Sequence, residues 1–520
     1  MNDTVALELK NITKSFSGKV ANDNVSMTLR EGEILAILGE NGSGKTTLMN
    51  MISGIYYPDS GQIFIRGHEV SITSPHDAFR YKIGMIHQHF KLVDVFSAVE
   101  NIILGVKDGK KYNVKEAAKR IEKIVAQYGF DIDINKKIYD MSVSEKQTVE
   151  IIKVLYRGAD ILILDEPTAV LTPQEIDKLF TVLKNMRSDG KSIIIITHKL
   201  NEVMEISDRV TILRKGQYVG TVDTCSTNEE QLTEMMVGEK IQLNIDRPNV
   251  ENKQLRLKID KLSLIHDKIK ILDEISFDVF SGEILGIAGI AGSGQKELLE
   301  TIAGLNKPTP DSKIDYYAPN SDKSDSLIGK SPNEIRELGV RLSFVPEDRL
   351  GMGLVANMNI IDNMMLRSYR KGKSMFVDRK TPHDLANSII ESLKVVTPNE
   401  YTAVRKLSGG NIQKILVGRE IASAPTVLMA AYPVRGLDIN SSYTIYSLLN
   451  EQKQNGVAVI FVGEDLDVLL ELCDRIVVVA GGKVTGVVDG RTTDKRSVGA
   501  LMTKTEKYQQ EEIKEENVND

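Results

Sequence analysis

The chain has 520 residues, more than one hydrophobic core usually accommodates, and this length predicts roughly two to four domains. Apolar residues make up 41% and charged residues 27%, as in ordinary soluble globular proteins, and no apolar run approaches the roughly 20 residues of a membrane-spanning helix. The net charge of −6 argues against a nucleic-acid partner, because nucleic-acid binding normally requires a basic domain or stripe.

The N-terminus and the cysteines indicate a cellular compartment. The first five residues, Met-Asn-Asp-Thr-Val, lack the basic and apolar segments of a signal peptide. Cys225 and Cys473 lie far apart and without the spacing of a metal site, so we expect free thiols in a reducing cytosol. Any role at a membrane is therefore expected to come through partner proteins.

A Gly-Glu-Ile turn recurs in both halves of the chain, at residues 32–34 and 282–284. Each copy is followed by a strand-like segment, a glycine-rich loop, a long helical region and two further apolar runs. This alternation predicts an α/β fold in which each half has a mainly parallel sheet flanked by helices. The runs 161–164 and 192–196 are continuously apolar, which is typical of parallel strands buried on both faces.

The same pattern predicts the domain boundaries. The first domain is expected to span residues 1–245 and the second residues 255–503. Residues 246–254 are polar and contain proline, which indicates a short linker. The acidic tail, residues 504–520, has almost nothing to bury, so we expect it to be disordered.

The first glycine-rich loop carries the motif G-x-x-x-x-G-K-T between a predicted strand and a predicted helix, which is the context of a P-loop. Backbone N–H groups and the helix N-terminus there present positive potential to phosphates. We expect Lys45 to reach the β- and γ-phosphates of a nucleotide and the Thr46 hydroxyl to coordinate Mg²⁺. The other residues expected to contact ATP in this loop are Gly39, Glu40, Asn41, Gly42, Ser43, Gly44 and Thr47.

The second glycine-rich loop has lost the chemical groups of the first. Gly289 and Gly294 keep the turn, whereas Gln295 stands where the motif needs Lys and Lys296 where it needs Ser or Thr. A weak nucleotide site and a glycine turn without a ligand both remain open for this copy.

An Asp-Glu pair ends the apolar run 161–164 and is expected at the carboxyl edge of the sheet, where ligands of such folds bind. Asp165 is suited to hold the Mg²⁺ shell, and Glu166 to orient or deprotonate the attacking water. Gln88 is a candidate to contact Mg²⁺ or the water, and His198, after another buried strand, to hydrogen-bond the γ-phosphate.

A Leu-Ser-Gly-Gly-Asn segment in the second half suits a phosphate that approaches from outside the domain. The Ser408 hydroxyl, the amides of Gly409 and Gly410, and Asn411 are its candidate contacts. The alternative is that Ser408 is a helix N-cap, and both can hold because a helix N-terminus binds anions.

In this order, the P-loop, Gln88, the LSGG-type signature, the Asp-Glu pair and His198 resemble the nucleotide-binding domain of ABC transporters, twice over the whole chain. The segments 345–349 and 433–438 resemble the ATPases of bacterial simple-sugar and nucleoside importers, and 83–93 and 353–355 look most like the nucleoside branch. The resemblance implies two tandem P-loop domains, each with a mainly parallel core, an antiparallel part and a helical signature subdomain.

The resemblance also implies a role for Phe16, where an aromatic side chain of the family stacks on adenine. The second half offers only Leu264, Ile265 or His266 at the corresponding place.

In ABC pairs, each ATP lies between the P-loop of one domain and the signature of the other. One composite site would therefore join the intact first P-loop to the intact second signature, and the substitutions would all fall on the other site. The residues of that degenerate site are Gly289, Gly294, Gln295, Lys296, Glu347 at the Gln88 position, Ala431, Tyr432, Glu464 and, in the first signature, Ser144 in place of glycine.

The expected function is that of the ATP-hydrolysing subunit of a bacterial importer, with ATP and Mg²⁺ as cofactors. The implied partners are two integral-membrane permease subunits and, indirectly, an extracytoplasmic substrate-binding lipoprotein; the implied location is the cytoplasmic face of the cell membrane. Nucleosides are the expected cargo, with simple sugars such as ribose or galactose as the alternative. A soluble tandem ABC protein acting on ribosomes or DNA would usually have a longer linker or cysteine clusters, and a non-hydrolytic scaffold conflicts with Lys45, Asp165 and Glu166.

Overall fold

Two compact units, Met1–Gln242 and Leu243–Asp520, make up the computed structural model. It describes residues 4–16, 18–87, 90–106, 113–168, 171–197, 199–238, 245–266, 268–290, 292–321, 323–344, 353–366, 368–369, 377–435, 437, 439–463 and 465–503. Within these residues, no helix is long and apolar enough to cross a membrane. The predicted disordered tail lies outside them.

The segment predicted as a linker packs against the second unit. The Arg247 guanidinium donates to the carbonyls of Leu470 and Cys473 at 2.9 and 2.6 Å. Ile245, just before it, is buried in the core of the same unit. The exact ends of the two domains therefore stay a prediction, but residues 245–247 are attached to the second unit.

The first unit contains ten strands and eight α-helices among the residues that the structure describes. Its strands are β1 (Val5–Phe16), β2 (Lys19–Arg30), β3 (Ile34–Leu38), β4 (Ser60–Ile65), β5 (His68–Val70), β6 (Ile83–Ile86), β7 (Ile161–Asp165), β8 (Ser192–Ile196), β9 (Arg209–Arg214) and β10 (Gln217–Asp223). Its helices are α1 (Lys45–Ile52), α2 (Pro75–Arg80), α3 (Ala98–Ile103), α4 (Val114–Tyr128), α5 (Val143–Tyr156), α6 (Pro173–Ser188), α7 (Leu200–Ile206) and α8 (Glu229–Val237).

These strands form one sheet in the order β5-β4-β1-β2-β10-β9-β3-β8-β7-β6. The neighbouring strands in the part β9-β3-β8-β7-β6 are parallel to each other. Strands β1, β2, β4 and β5 pair with one another in antiparallel fashion. Every residue of β3, β7 and β8 is buried, which confirms the prediction from their unbroken apolar runs. The central strand β3 therefore delivers the first glycine-rich loop to the carboxyl edge of the sheet.

The second unit repeats this plan with ten strands and eight α-helices in its described part. Its strands are β11 (Leu255–His266), β12 (Ile269–Phe280), β13 (Ile284–Ala288), β14 (Lys313–Tyr317), β15 (Ser324–Ser326), β16 (Val340–Phe344), β17 (Val427–Ala431), β18 (Ala458–Val462), β19 (Arg475–Ala480) and β20 (Lys483–Asp489). Its helices are α9 (Gln295–Ile302), α10 (Pro332–Glu337), α11 (Ile360–Met365), α12 (Lys380–Ser392), α13 (Gly409–Ile421), α14 (Ile439–Gln454), α15 (Leu466–Leu472) and α16 (Lys495–Met502).

Here the strands form two sheets, one antiparallel and one mainly parallel. The antiparallel sheet has the order β12-β11-β14-β15, and the other has the order β16-β17-β18-β13-β19-β20. In the second sheet only the last pair, β19 with β20, is antiparallel. The strand before the second glycine-rich loop, β13, is again central and fully buried.

A helical part accompanies the sheets in each unit. Helices α3, α4 and α5 share a hydrophobic core that contains Ile102, Ile121 and Ile152, all fully buried. In the second unit, Met364 of α11, Ile389 of α12 and Ile415 of α13 belong to one core. The predicted architecture, a mainly parallel sheet with an antiparallel part and a helical part in each half, is confirmed.

Candidate active site

The first glycine-rich loop joins the end of β3 to the start of α1. Gly42 and Gly44 have φ angles of 81° and 95°, which other residues rarely adopt. A Cβ at Gly39 would lie 2.3 Å from the Leu213 carbonyl oxygen, and one at Gly44 would lie 2.4 Å from that of Ala21. Neighbouring strands therefore press the loop into a shape that only glycines permit.

Lys45 begins α1 and is buried inside this loop. Its ammonium donates to the Gly39 and Glu40 carbonyls at 2.6 and 3.0 Å. Burial lowers the pKa of Lys45, and the charges of Glu166, Asp165 and Glu40 oppose that shift. The position predicted to reach phosphates thus holds a cation that bonds to loop carbonyls and is influenced by the charges of three carboxylates.

The Ser43 hydroxyl supports the assignment of this loop as a phosphate cradle. Its Oγ is buried and has no hydrogen-bond partner among the described residues. A buried hydroxyl without a partner is unfavourable, so a ligand oxygen at the loop would satisfy it. Glu40, Asn41, Gly42 and Thr47, which were also predicted to contact ATP, lie in the same loop or the first turn of α1.

The structure brings Thr46 and Asp165 together. The side chains of these two residues are hydrogen-bonded, although 119 positions separate them. Burial and the neighbouring Glu166 raise the pKa of Asp165, whereas Thr46 and Lys45 oppose the shift. A hydroxyl and a carboxylate side by side are hard oxygen ligands of the kind that Mg²⁺ prefers.

Glu166 follows β7 in a left-handed backbone conformation, with a φ angle of 47°. Its N–H donates to the Ile196 carbonyl at 2.9 Å, and its side chain is half-buried beside Asp165. The two carboxylates therefore emerge at the predicted edge of the sheet. Gln88 and His198, predicted to complete this site, lie outside the described residues.

Sequence reasoning missed a buried network next to this edge. Thr168 and Thr197 both donate to the Glu202 carboxylate, at 2.6 and 3.1 Å. The Lys199 ammonium lies 3.1 Å from the other oxygen of Glu202. The network ties the segment after β7 to the segment after β8, on either side of position 198. Polar residues directly after two buried strands were the signal that could have revealed it.

Phe16 lies at the end of β1 and is 40% exposed. The ring of Tyr56 contacts it edge to face, with the ring centroids 5.1 Å apart. The Lys14 ammonium lies 5.5 Å from the Phe16 centroid. Sequence reasoning identified Phe16 but neither of these neighbours.

The second glycine-rich loop keeps the backbone shape without the buried cation. Gly294 precedes α9 with a φ angle of 99°, and a Cβ at Gly289 would lie 2.5 Å from the Val479 carbonyl oxygen. The buried Gln295 amide donates to the Ile290 carbonyl at 3.2 Å. The Lys296 ammonium lies 3.7 Å from the Glu300 carboxylate, one turn further along α9.

The strand end that corresponds to Asp165 and Glu166 is also altered. β17 ends at Ala431, and Tyr432 follows with a φ angle of 51°. The Tyr432 N–H donates to the Val462 carbonyl at 2.8 Å, and the Arg435 guanidinium lies 5.9 Å from its ring centroid. Glu347 and Glu464, the other predicted members of this degenerate site, lie outside the described residues.

The second signature leaves the N-terminus of α13 without a side-chain cap. Ser408 occupies the N-cap position, but its hydroxyl makes no capping hydrogen bond. It accepts instead from the Asn411 amide at 2.9 Å, whose oxygen accepts from the Val396 N–H at 3.0 Å. Ser408 is therefore the N-cap residue, as the alternative held, and Gly409 and Gly410 form the first turn of the helix.

The first signature, by contrast, carries a carboxylate at the N-terminus of α5. Ser142 and Glu145 form a capping box, in which the Ser142 N–H donates to the Glu145 carboxylate at 2.7 Å. The Lys136 ammonium donates to the same carboxylate at 2.8 Å. Sequence reasoning noted Ser144 and missed Glu145, although the Ser-x-x-Glu pattern indicates such a box.

The parallel strands place a lysine-bearing glycine loop and a pair of carboxylates at the same edge of the sheet. This arrangement defines a P-loop ATPase. The antiparallel and helical parts narrow that class to ATP-binding cassettes. The family model described as "ABC transporter" matches residues 22–169 and 272–433. The chain belongs to the ABC transporter family and contains two of its ATP-binding domains.

Relatives align with nearly the whole chain. The nucleoside import ATP-binding protein NupA of Lactococcus lactis subsp. cremoris is 40% identical over 96% of this chain and 98% of its own length. The guanosine import ATP-binding protein NupO of Bacillus subtilis is 42% identical over 95% and 97%. The ribose import ATP-binding protein RbsA of Clostridium tetani is 37% identical over 92% and 94%. The chain is accordingly an ABC ATPase of the import type.

A solved structure of another protein aligns with 94% of this chain and so covers both units. The archaeal ribosome recycling factor, in its complex with a ribosomal stalk protein, has a TM-score of 0.62 over 94% of this chain and 92% of that one. Its sequence identity is 16%, so this likeness shows the fold and carries no functional argument.

Proposed function

We propose that this protein is the ATPase of a bacterial nucleoside importer and that it has one hydrolytic ATP site. The observation that carries the proposal is the cluster of Lys45, Thr46, Asp165 and Glu166 at the edge of the first sheet. The corresponding residues of the second unit are Gln295, Lys296, Ala431 and Tyr432. Their only charged side chain is Lys296, which corresponds to Thr46 and not to Lys45.

In the first unit, Lys45 would exchange its bonds to loop carbonyls for bonds to the β- and γ-phosphates of ATP. Thr46 and Asp165 would hold Mg²⁺, together with Gln88, and the ion would neutralise phosphate charge. Glu166 would orient the attacking water, and His198 would hydrogen-bond the γ-phosphate. The buried Ser43 hydroxyl and the glycine-shaped cradle fit a phosphate group.

In the second unit the losses are large enough to prevent useful turnover. A charged hydrogen bond such as that of a lysine to phosphate contributes about 1.5–3 kcal/mol. A positioned general base usually contributes about 10²–10⁴ in rate, and Tyr432 replaces it here. The second glycine-rich loop keeps its backbone shape, so two alternatives remain for it. It binds a nucleotide without hydrolysing it, or it binds no nucleotide.

We further propose that the first P-loop works with the second signature. Negative charge is attracted to a helix N-terminus, and that of α13 carries neutral Ser408 and Asn411. At α5 the Glu145 carboxylate already occupies this place, bonded to the Ser142 N–H and to the Lys136 ammonium, and a phosphate would have to displace it. The signatures thus differ in whether a side chain already caps the helix, as well as by Ser144, and the difference favours the site that holds Lys45.

The proposed partners are two integral-membrane permease subunits and, through them, an extracytoplasmic substrate-binding lipoprotein. The proposed location is the cytoplasmic face of the cell membrane, and no nucleic-acid partner is proposed. Nucleosides are favoured as the cargo because relatives named for nucleosides share 40% and 42% identity with the chain, whereas the ribose relative shares 37%.

Uptake measurements test the cargo. Cells that lack the gene should lose uptake of radiolabelled nucleosides, and the wild-type gene should restore it. A gene encoding Glu166→Gln should not restore it, although the protein accumulates equally. Loss of ribose or galactose uptake with normal nucleoside uptake would establish the sugar alternative instead.

A further inference from the structure

The end of β1 pairs with β2 on one side, up to Phe16 and Lys19, and is held by a side chain on the side that faces β4. The last backbone pair between β1 and β4 joins Thr13 to Ser60. Beyond it, Asp59 accepts from the Ser15 N–H and from the Lys14 ammonium, both at 2.7 Å. The Asp59 N–H itself donates to the Thr13 carbonyl at 2.8 Å. Both carboxylate oxygens therefore fix the two residues that precede Phe16.

These contacts place two groups against the Phe16 ring. Lys14, held by Asp59, lies above the ring, and Tyr56 packs against it edge to face at an interplanar angle of 67°. Tyr56 and Asp59 lie in the same loop between α1 and β4. Phe16 is nevertheless 40% exposed, so part of its ring remains available to a planar ligand.

The second unit provides an internal comparison, because its β-hairpin has the same register. Phe16 pairs with Lys19, and His266 pairs with Ile269. The Thr309 N–H donates to the Ser263 carbonyl at 2.9 Å, as the Asp59 N–H does to Thr13.

The hairpin register, together with this backbone contact of the loop, matches four residues of the first unit with four of the second. Lys14, Phe16, Tyr56 and Asp59 correspond to Leu264, His266, Asn306 and Thr309. The second unit folds with neither a lysine–carboxylate pair nor a second aromatic ring at these positions, so the hairpin itself does not require them. They accompany the complete P-loop, which links them to nucleotide binding.

We infer that Asp59 is a positioning residue for the nucleobase of ATP. It bonds to Lys14 and Ser15 of β1 and so holds the adjacent Phe16, backed by Tyr56, in the orientation on which the base stacks. The inference rests on the proposed function, since it takes the first unit to be the hydrolytic ATP site and Phe16 to be its base platform. Preorganisation of this kind strengthens binding by reducing the ordering that the ligand must impose.

The test compares ATP with inorganic tripolyphosphate, which has the phosphates but no base. Isothermal titration calorimetry on the full-length protein with Mg²⁺ would measure both dissociation constants. Asp59→Ala should raise the Kd of ATP about three- to tenfold by removing the preorganisation, while the Kd of tripolyphosphate stays the same. Asp59→Asn keeps an oxygen that can accept from the Ser15 N–H, so its Kd for ATP should lie closer to that of the wild-type protein.

Thr309→Ala is the matched control at the corresponding position of the second unit, and it should change neither constant. An unchanged Kd of ATP in Asp59→Ala would overturn the inference. A parallel rise for ATP and tripolyphosphate would also overturn it, because it would indicate damage to the phosphate cradle. Failure of the wild-type protein to bind either ligand would instead contradict the proposed function.

Discussion

Glu166 and Tyr432 occupy corresponding strand ends with the same backbone conformation, at φ angles of 47° and 51°. Each N–H donates to the last carbonyl of the neighbouring strand, at 2.9 and 2.8 Å. The left-handed region costs a non-glycine residue about 1–2 kcal/mol. Tyr432 adopts this conformation although its side chain is not a carboxylate. The conformation is therefore a property of the turn and does not depend on the glutamate. What Glu166 adds is the chemistry of its side chain.

Glu166→Gln should abolish turnover and retain ATP binding. The amide has nearly the shape of the carboxylate but cannot accept the proton of the attacking water, so hydrolysis should fall about 10²–10⁴-fold. Phosphate release measures the rate, and nucleotide retained after gel filtration measures trapping. Gln295→Ala in the second loop is the control and should hydrolyse ATP nearly as fast as wild type. Comparable losses in the two variants would contradict the assignment of the hydrolytic site.

Tyr432→Glu should not create a second hydrolytic site. The turn would present the new carboxylate as it presents Glu166, but Ala431 and Gln295 still supply neither a metal ligand nor a phosphate-binding cation. The double variant with Glu166→Gln should therefore remain inactive in phosphate release. Recovery of turnover in that double variant would show that a carboxylate alone distinguishes the two sites.

Gly410→Asp should inactivate the enzyme although it lies in the second unit. An aspartate in the first turn of α13 suits the helix but opposes a phosphate. Two like charges about 4 Å apart repel by about 4 kcal/mol at an effective dielectric constant of 20, so turnover should fall at least about tenfold. Steady-state ATPase rates of the full-length variant would measure this effect.

The matched control for that variant is Ser144→Asp, at the corresponding position of the first signature. That helix start already carries Glu145, so one more carboxylate should change turnover little. Unchanged hydrolysis in Gly410→Asp, or equal losses in both variants, would rule out the proposed pairing of P-loop and signature.

Asp160 should stabilise the first unit in a pH-dependent way. Burial raises its pKa, but hydrogen bonds from Lys191 and Lys82 outweigh that effect and lower the pKa to about 2. A folded-state pKa below the usual 3.8 means that the stabilisation is complete above about pH 4 and is lost as the pH falls towards 2. After allowance for partial exposure, Asp160→Asn should cost about 1 kcal/mol at neutral pH.

Scanning calorimetry would test the direction of this pH dependence. The melting temperature of Asp160→Asn should lie below that of wild type at pH 7, and the gap should narrow at pH 3. Asp131→Asn removes an exposed carboxylate that lies 3.5 Å from Lys178 and serves as the control, with no measurable gap expected at either pH. A gap for Asp160→Asn that is constant with pH would contradict the ionic explanation.

Much of the fold was readable because it depends on local pattern. The unbroken apolar runs at 161–164 and 192–196 became the buried strands β7 and β8, and the motif around Lys45 lies between a strand and a helix as predicted. Glu145 was also readable, since a capping box has a fixed spacing of three residues, yet its consequence for the first signature was missed.

The sequence by itself determined which chemical groups each half possesses: a lysine or a glutamine in the loop, Asp-Glu or Ala-Tyr after the strand. Only the tertiary structure decided which of these groups meet. Thr46 reaches Asp165 across 119 positions, and Asp59 holds Ser15 across 44. Such contacts depend on the order and register of strands in a sheet. That order arises from burial over the whole unit, so no local spacing in the chain encodes it.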